Sequence, residues 1–127
     1  NQSGIARGFF TEDDLLEIHT HLVKILSNHG VAVDAIHYCP HHPEANIQQY
    51  KQICDCRKPG SGMLRHAERN WRLDLPRSFM VGDQASDMEA AEEVGVTGVF
   101  VADQLTRPPS AAAIFPDLAK AAPFILA

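Results

Sequence analysis

The chain has 127 residues, 45% of them hydrophobic and 21% charged, the balance of a single globular domain able to bury a core. Its formal net charge of −5 supplies no basic footprint for nucleic acid, and no apolar run approaches the ~20 residues of a membrane span. Cysteine occurs three times, as Cys39, Cys54 and Cys56; an odd count argues against a closed disulfide framework and for a reducing, cytoplasmic setting.

In chain order, a first helix is expected to start at Thr11. Thr11 can cap, Asp14 stands at the capping-box position, and Glu12 and Asp13 add negative charge at the positive helix end. Leu15, Ile18, Leu22, Ile25 and Leu26 recur at helical spacing as one apolar stripe, and Gly30 is the expected stop. Residues 31–38 alternate like a short strand through Val31, Val33 and Ala35. Residues 40–53 are polar and irregular. A helix is predicted over 60–71, with Met63, Leu64, Ala67 and Trp71 on one face. Phe79, Met80 and Val81 form a compact strand ending at Gly82-Asp83. Ser86 and Glu89 suggest a capping box for a helix through Val94, which Gly95 ends. Residues 96–102 read as another strand, and a short helix broken by Pro123 closes the chain. Helices alternating with buried strands predict an α/β fold with a parallel sheet, whose ligands sit beyond the carboxyl ends of the strands.

Cys39-Pro-His41 and Cys54-Asp-Cys56 form two tight pairs separated by twelve residues. In extended backbone, residues two apart point the same way, so each pair can offer two ligands to one ion. Three thiolates and one imidazole make the closed tetrahedral set of a structural Zn²⁺ site, and a loop spanning 39–58 with little apolar content would take its stability from such a metal. The plainer alternative is three buried reduced cysteines with an exposed histidine. His42 competes with His41, which is preferred because its spacing mirrors the second pair.

Arg57-Lys58-Pro59 follows the second pair directly. Fixing Cys56 would also fix these side chains, with Lys58 suited to a point contact on a phosphoryl group and Arg57 to a bidentate grip. A solvated basic pair is the bland alternative. At the strand-to-helix junction Gly82-Asp83-x-x-x-Asp87, Asp83 is a hard oxygen ligand suited to Mg²⁺. Asp87 either orients a ligand of that ion or simply partners the helix dipole. Asn1, Gln2 and Ser3 offer donors to a phosphate, although alone they form an ordinary polar turn.

The stretches NQSGIARGFF, YCPHHPEA, CDCRKPGSGM and FMVGDQASDMEAA together resemble the histidinol-phosphatase and heptose-bisphosphate phosphatase branch of the haloacid dehalogenase superfamily, over about residues 1–101. The heptose-bisphosphate side of the branch is the closer. The resemblance implies a Rossmann-like parallel sheet and a Mg²⁺-dependent phosphomonoesterase working through an aspartyl-phosphate. It implies a small sugar phosphate as substrate, D-glycero-D-manno-heptose 1,7-bisphosphate hydrolysed to the 1-phosphate, with histidinol phosphate as the runner-up. Lys58 would stabilise the transferring group, Asp83 would ligate Mg²⁺, and Asn1, Gln2, Ser3, Arg57 and Gln84 would contact substrate. Gln84 stands where close relatives can carry a lysine. No partner among nucleic acids or membranes is implied, and a monomer is favoured.

One departure is chemical: the D-x-D pair that supplies the nucleophile in that superfamily occurs nowhere in these 127 residues. The chain also opens at Asn1, already inside the resembling motif, without the threonine that usually precedes Asn-Gln-Ser. The expectation is therefore a single phosphatase domain over 1–127 whose first strands, with the nucleophile, are missing, so that this stretch alone is inactive. The rival expectation is a non-catalytic module that binds zinc or phosphate.

Overall fold

The computed structural model describes residues 1–103 and 106–127. The chain folds as two compact units, Asn1–Arg57 and Lys58–Ala127.

In the first unit a short helix, α1 (Ser3–Arg7), precedes a long one, α2 (Glu12–Asn28), and a polar loop with one 3-10 turn at Gln48–Tyr50 completes it. Thr11 opens α2 as the sequence predicts. Its hydroxyl accepts the Asp14 N–H at 3.1 Å, while the Asp14 carboxylate takes the Thr11 N–H at 2.7 Å and the Thr11 hydroxyl at 2.8 Å. These bonds, the backbone one first, hold Asp14 below the usual carboxylate range. At the other end Gly30 adopts φ +76°, which turns the chain back so that the Val31 N–H reaches the Leu26 carbonyl at 3.0 Å. The loop is anchored to α1 by backbone. The Ala6 carbonyl accepts from the N–H groups of Asn46 and Ile47 at 2.9 and 3.1 Å, and the Gln2 N–H donates to the Cys39 carbonyl at 2.8 Å.

Two expectations for this unit need correction. Of the α2 stripe only Leu15 is buried; Ile18 remains 59% exposed, and Leu22 and Ile25 are exposed as well. Residues 31–38 form no regular element and belong to no sheet among the described residues. Alternation equips a segment for a half-buried face, but only a ladder of backbone bonds makes it a strand. The helix α1 was not anticipated, being too short to show a periodicity.

The second unit contains α3 (Gly62–Trp71), β1 (Phe79–Gly82), α4 (Ala85–Glu93), β2 (Thr97–Val101), β3 (Ala113–Phe115) and α5 (Leu118–Leu126). The strands form a parallel sheet in the order β1-β2-β3, with Val81 opposite Val99 and Phe100 opposite Ile114. This is the α/β layering predicted. The helix α4 packs on β1 and β2. Its Met88, fully buried, meets Phe100 and Ala111, and its Ala91 meets Leu75 and Val96. Burying a side chain such as Met88 contributes roughly 1.5–3 kcal/mol.

Here the corrections are local. The helix α3 starts two residues later than predicted, after a buried Ser61, and its Trp71 is 49% exposed. The short strand β3 was not foreseen. Pro123 sits inside α5 and does not break it; the helix is capped at Asp117, whose carboxylate accepts the Lys120 N–H at 2.7 Å. At the start of α4 the contact is made by Gln84 and Asp87, not by Ser86 and Glu89: the Gln84 N–H donates to the Asp87 carboxylate at 3.1 Å.

Replacing Thr11 by alanine removes an acceptor for a first-turn N–H of α2 and releases Asp14. Stability should fall by about 1 kcal/mol in thermal or denaturant unfolding; an unchanged midpoint would show that the cap contributes nothing.

Candidate metal centre and phosphate-handling residues

The two ligand pairs converge. One donor atom from each of Cys39, His41, Cys54 and Cys56 lies within 4.8 Å of all the others. Cys56 Sγ is 3.1 Å from Cys39 Sγ and 3.2 Å from Cys54 Sγ; Cys39 and Cys54 are 3.5 Å apart. His41 Nδ1 stands 3.4 Å from Cys56 Sγ and 3.8 Å from Cys39 Sγ. A tetrahedral ion with metal–sulfur bonds near 2.3 Å requires sulfur–sulfur edges of about 3.8 Å, so the donors need only spread by a few tenths of an ångström to admit one. The thiols are unbridged. The set can therefore hold a metal ion, and it uses His41. The ring of His42 is engaged elsewhere, its Nδ1 accepting the Glu44 N–H at 3.0 Å.

The electrostatics of the thiols fit the same use. Burial pushes the Cys39 thiol up. Burial, with hydrogen bonds to Cys39 and Cys54, pushes Cys56 up as well. For Cys54 burial acts upward too, but hydrogen bonds from Cys56 and Cys39 outweigh it and the thiol is lowered. Three thiolates at this spacing repel one another, and a divalent ion held there would supply the opposing charge and displace the protons.

Next to the cluster the Arg57 guanidinium donates to the His41 carbonyl at 3.4 Å, so the ligand loop itself restrains Arg57. Gln2 is tied to Cys39 through its backbone, Ser3 opens α1, and Asn1 is exposed. The sequence-level candidates of the first unit are thus brought onto one frame.

That frame contains three residues that the sequence did not single out for this purpose. Glu12, in the first turn of α2, accepts the Tyr38 hydroxyl at 2.5 Å on one carboxylate oxygen and the Tyr50 hydroxyl at 2.7 Å on the other. The Tyr38 bond, then the Tyr50 bond, holds Glu12 below its usual range. The same bond pushes Tyr38 up to about 12, and Tyr50 is raised in the same way. Glu12 is 26 and 38 residues from its partners, beyond any local pattern, and in the sequence it reads only as a helix-dipole residue.

In the second unit, β1 delivers Gly82-Asp83 at its carboxyl end, with Asp83 exposed. Asp87, only 4% exposed, lies in the first turn of α4, and Lys58 Nζ is 2.5 Å from its Oδ1. The other oxygen, Oδ2, takes the Gln84 N–H. Asp87 therefore does two jobs at once: it secures the start of α4 and fixes the ammonium of Lys58. Gly82 makes this packing possible, since a Cβ built there would fall 2.6 Å from both Cβ and Cγ of Asp87. Gln84 is exposed and acts through its backbone. Lys58, Asp87, Gln84 and Asp83 are gathered at one strand end, and Lys58 joins Pro59 through a cis peptide.

A parallel sheet whose first strand ends in Gly-Asp, with a lysine salt-bridged to the helix that follows, is the arrangement expected of an α/β domain of haloacid-dehalogenase type. The chain belongs to the HAD-hydrolase-like family, whose model matches residues 55–123. It is 44% identical over 98 residues to the D-glycero-beta-D-manno-heptose-1,7-bisphosphate 7-phosphatase of Rhodopseudomonas palustris, covering 77% of this chain and 54% of the relative. It is 52% identical over 91 residues to the protein of the same name from Photorhabdus laumondii, covering 72% of this chain and 48% of that one. The chain thus spans about half the length of the curated relatives it matches. Its fold matches the crystal structure of D,D-heptose 1,7-bisphosphate phosphatase from B. bronchiseptica complexed with magnesium and phosphate, with a TM-score of 0.82 and 35% identity over 99% of this chain and 70% of that one. Among the described residues no helix is long and apolar enough to cross a membrane.

Gly82→Ala should force the Asp87 side chain away from β1 and break its ion pair with Lys58. Stability should fall by about 1–3 kcal/mol, the range for hydrogen bonds to charged groups, and Lys58 should become more reactive to acylation as read by mass spectrometry. Wild-type stability and Lys58 reactivity in the variant would contradict the described packing.

Proposed function

We propose that the whole protein to which these residues belong is a Mg²⁺-dependent phosphomonoesterase that removes the 7-phosphate of D-glycero-D-manno-heptose 1,7-bisphosphate and leaves the 1-phosphate. The observation that carries this is the lysine fixed on a buried carboxylate beside Asp83: Lys58 Nζ lies 2.5 Å from Asp87 Oδ1. The names of the relatives support the substrate, and the magnesium and phosphate in the B. bronchiseptica structure support the ion and the group handled.

Under this assignment Lys58 holds a positive charge against the phosphoryl oxygens as negative charge develops there, and Asp87 keeps its ammonium from drifting. Asp83 is a ligand for Mg²⁺, which when bound neutralises phosphoryl charge. Arg57 grips a substrate phosphate in two-pronged fashion, and Asn1, Gln2, Ser3 and Gln84 contact substrate. Cys39, His41, Cys54 and Cys56 hold Zn²⁺; four protein donors leave no open position, so its role is structural. The attacking carboxylate, and the carboxylic acid that protonates the leaving oxygen, are assigned to a D-x-D pair outside these 127 residues. A reducing cytoplasm suits the unbridged thiols, and the protein is assigned as a monomer.

The test is phosphate release with Mg²⁺ by the whole protein. Heptose 1,7-bisphosphate should be turned over faster than histidinol phosphate, and Lys58→Ala should lower the rate by about 10²–10³-fold, as loss of a charge-stabilising group does. Faster turnover of histidinol phosphate would overturn the substrate assignment. A folded, metal-loaded protein that hydrolyses neither would overturn the enzyme assignment in favour of a binding module.

A further inference from the structure

Because the four-donor loop contains almost no regular structure, any contact outside the donors that ties its two limbs together lightens what a metal must organise. The first limb, residues 39–42, carries Cys39 and His41; the second, residues 50–56, carries Cys54 and Cys56. Its only helical turn is Gln48–Tyr50, and Ile53, 91% exposed, packs on nothing that would hold the second limb.

One side chain touches the root of each limb. Tyr38 immediately precedes Cys39, Tyr50 begins the limb that ends in Cys56, and both hydroxyls donate to the Glu12 carboxylate, at 2.5 and 2.7 Å. The limbs are also tied to each other at the same place, the His42 N–H donating to the Tyr50 carbonyl at 3.1 Å. The carboxylate itself is held on rigid structure: Glu12 is the first residue of the 17-residue helix α2, whose capping box fixes that end. The helix N-terminus favours an anion there, and phenol-to-carboxylate bonds are among the stronger hydrogen bonds of a partly buried site. The Tyr38 ring is further placed by His19 of the same helix, with centroids 5.8 Å apart.

We propose that Glu12 is a positioning residue for the metal centre, a carboxylate clamp that preassembles the two ligand pairs through Tyr38 and Tyr50. The inference rests on the zinc assignment above. It touches no ligand atom. Its effect is to shrink the set of loop conformations over which four separate donors must find one ion, and so to slow release of the ion once held.

The experiment is release of zinc from the metal-loaded protein to the chromophoric chelator 4-(2-pyridylazo)resorcinol. Glu12→Ala and the Tyr38→Phe/Tyr50→Phe double variant should each accelerate release by about tenfold or more, in line with the effect of partners beyond the ligands themselves. Each single Tyr→Phe change should do less. Glu12→Gln, which keeps an acceptor oxygen, should fall between wild type and Glu12→Ala. Adding Tyr38→Phe to Glu12→Ala should change nothing further, since the bond is already gone. Thr11→Ala is the comparison: it loosens the same helix end but leaves both tyrosine–carboxylate bonds in place, and should accelerate release clearly less than Glu12→Ala. If Glu12→Ala releases zinc at the wild-type rate, or no faster than Thr11→Ala, the clamp is overturned while the zinc assignment stands. If the wild-type protein binds no zinc at all, the zinc assignment fails first, and the clamp with it.

Discussion

Four donors crowded into a space less than 5 Å across are the constraint around which the first unit is arranged. Its buried apolar side chains are few: Ile5, Ala6, Leu15, Cys39 and Ala45. That is too small a core to hold a loop running from Tyr38 to Arg57 against its conformational entropy, which costs about 1–2 kcal/mol for each residue fixed. Ligand bonds can meet that cost because a structural metal contributes folding energy directly. The neighbouring contacts serve the same end. Gln2 binds the Cys39 carbonyl, Ala6 binds Asn46 and Ile47, Glu12 binds both tyrosines, and Arg57 binds the His41 carbonyl. The residues assigned to substrate in this unit are therefore extensions of the metal loop.

The second unit solves a different problem, that of keeping a cation and a carboxylate pointed at the end of a strand. Burying Asp87 would be costly if it stood alone. It is stabilised by the Lys58 ammonium on one oxygen and the Gln84 N–H on the other, with Gly82 leaving the necessary room. The sheet gives this arrangement its rigidity. Met88 and Ala91, both fully buried on α4, lock the helix that carries Asp87 onto β1 and β2. One short helix thus does both: Asp87 near the start of α4 holds Lys58, and Met88 and Ala91 join the helix to the core.

What could be read from the sequence was whatever is local. The Thr11–Asp14 capping box, the apolar runs of β1 and β2, each with a glycine at or beside its end, and the two ligand pairs all depend on residues within a few positions of one another, so their spacing carries the signal. That His41 and not His42 would group with the three cysteines was readable for the same reason, since an x-spaced pair in extended backbone points both side chains one way. What escaped was non-local or too short. The strand β3 is three residues long and exists because β2 is beside it. The alternation of residues 31–38 looked like a strand, but no ladder accompanies it. The α2 stripe has the correct spacing, yet only Leu15 finds a core to enter. Asp87 looked equally like a dipole partner and a site residue, and it is both a helix-start residue and the anchor of Lys58. Glu12 was legible only as a charge at a helix start, because its partners lie on a loop whose path no local pattern prescribes.

The central claim is that Cys39, His41, Cys54 and Cys56 together hold one zinc ion. X-ray absorption at the zinc edge of the purified, reduced protein tests it most directly. The account predicts one zinc per chain with three sulfur neighbours at about 2.3 Å and one nitrogen at about 2.0 Å. Protein with free, reduced thiols and no bound zinc, or a shell dominated by oxygen, would contradict it.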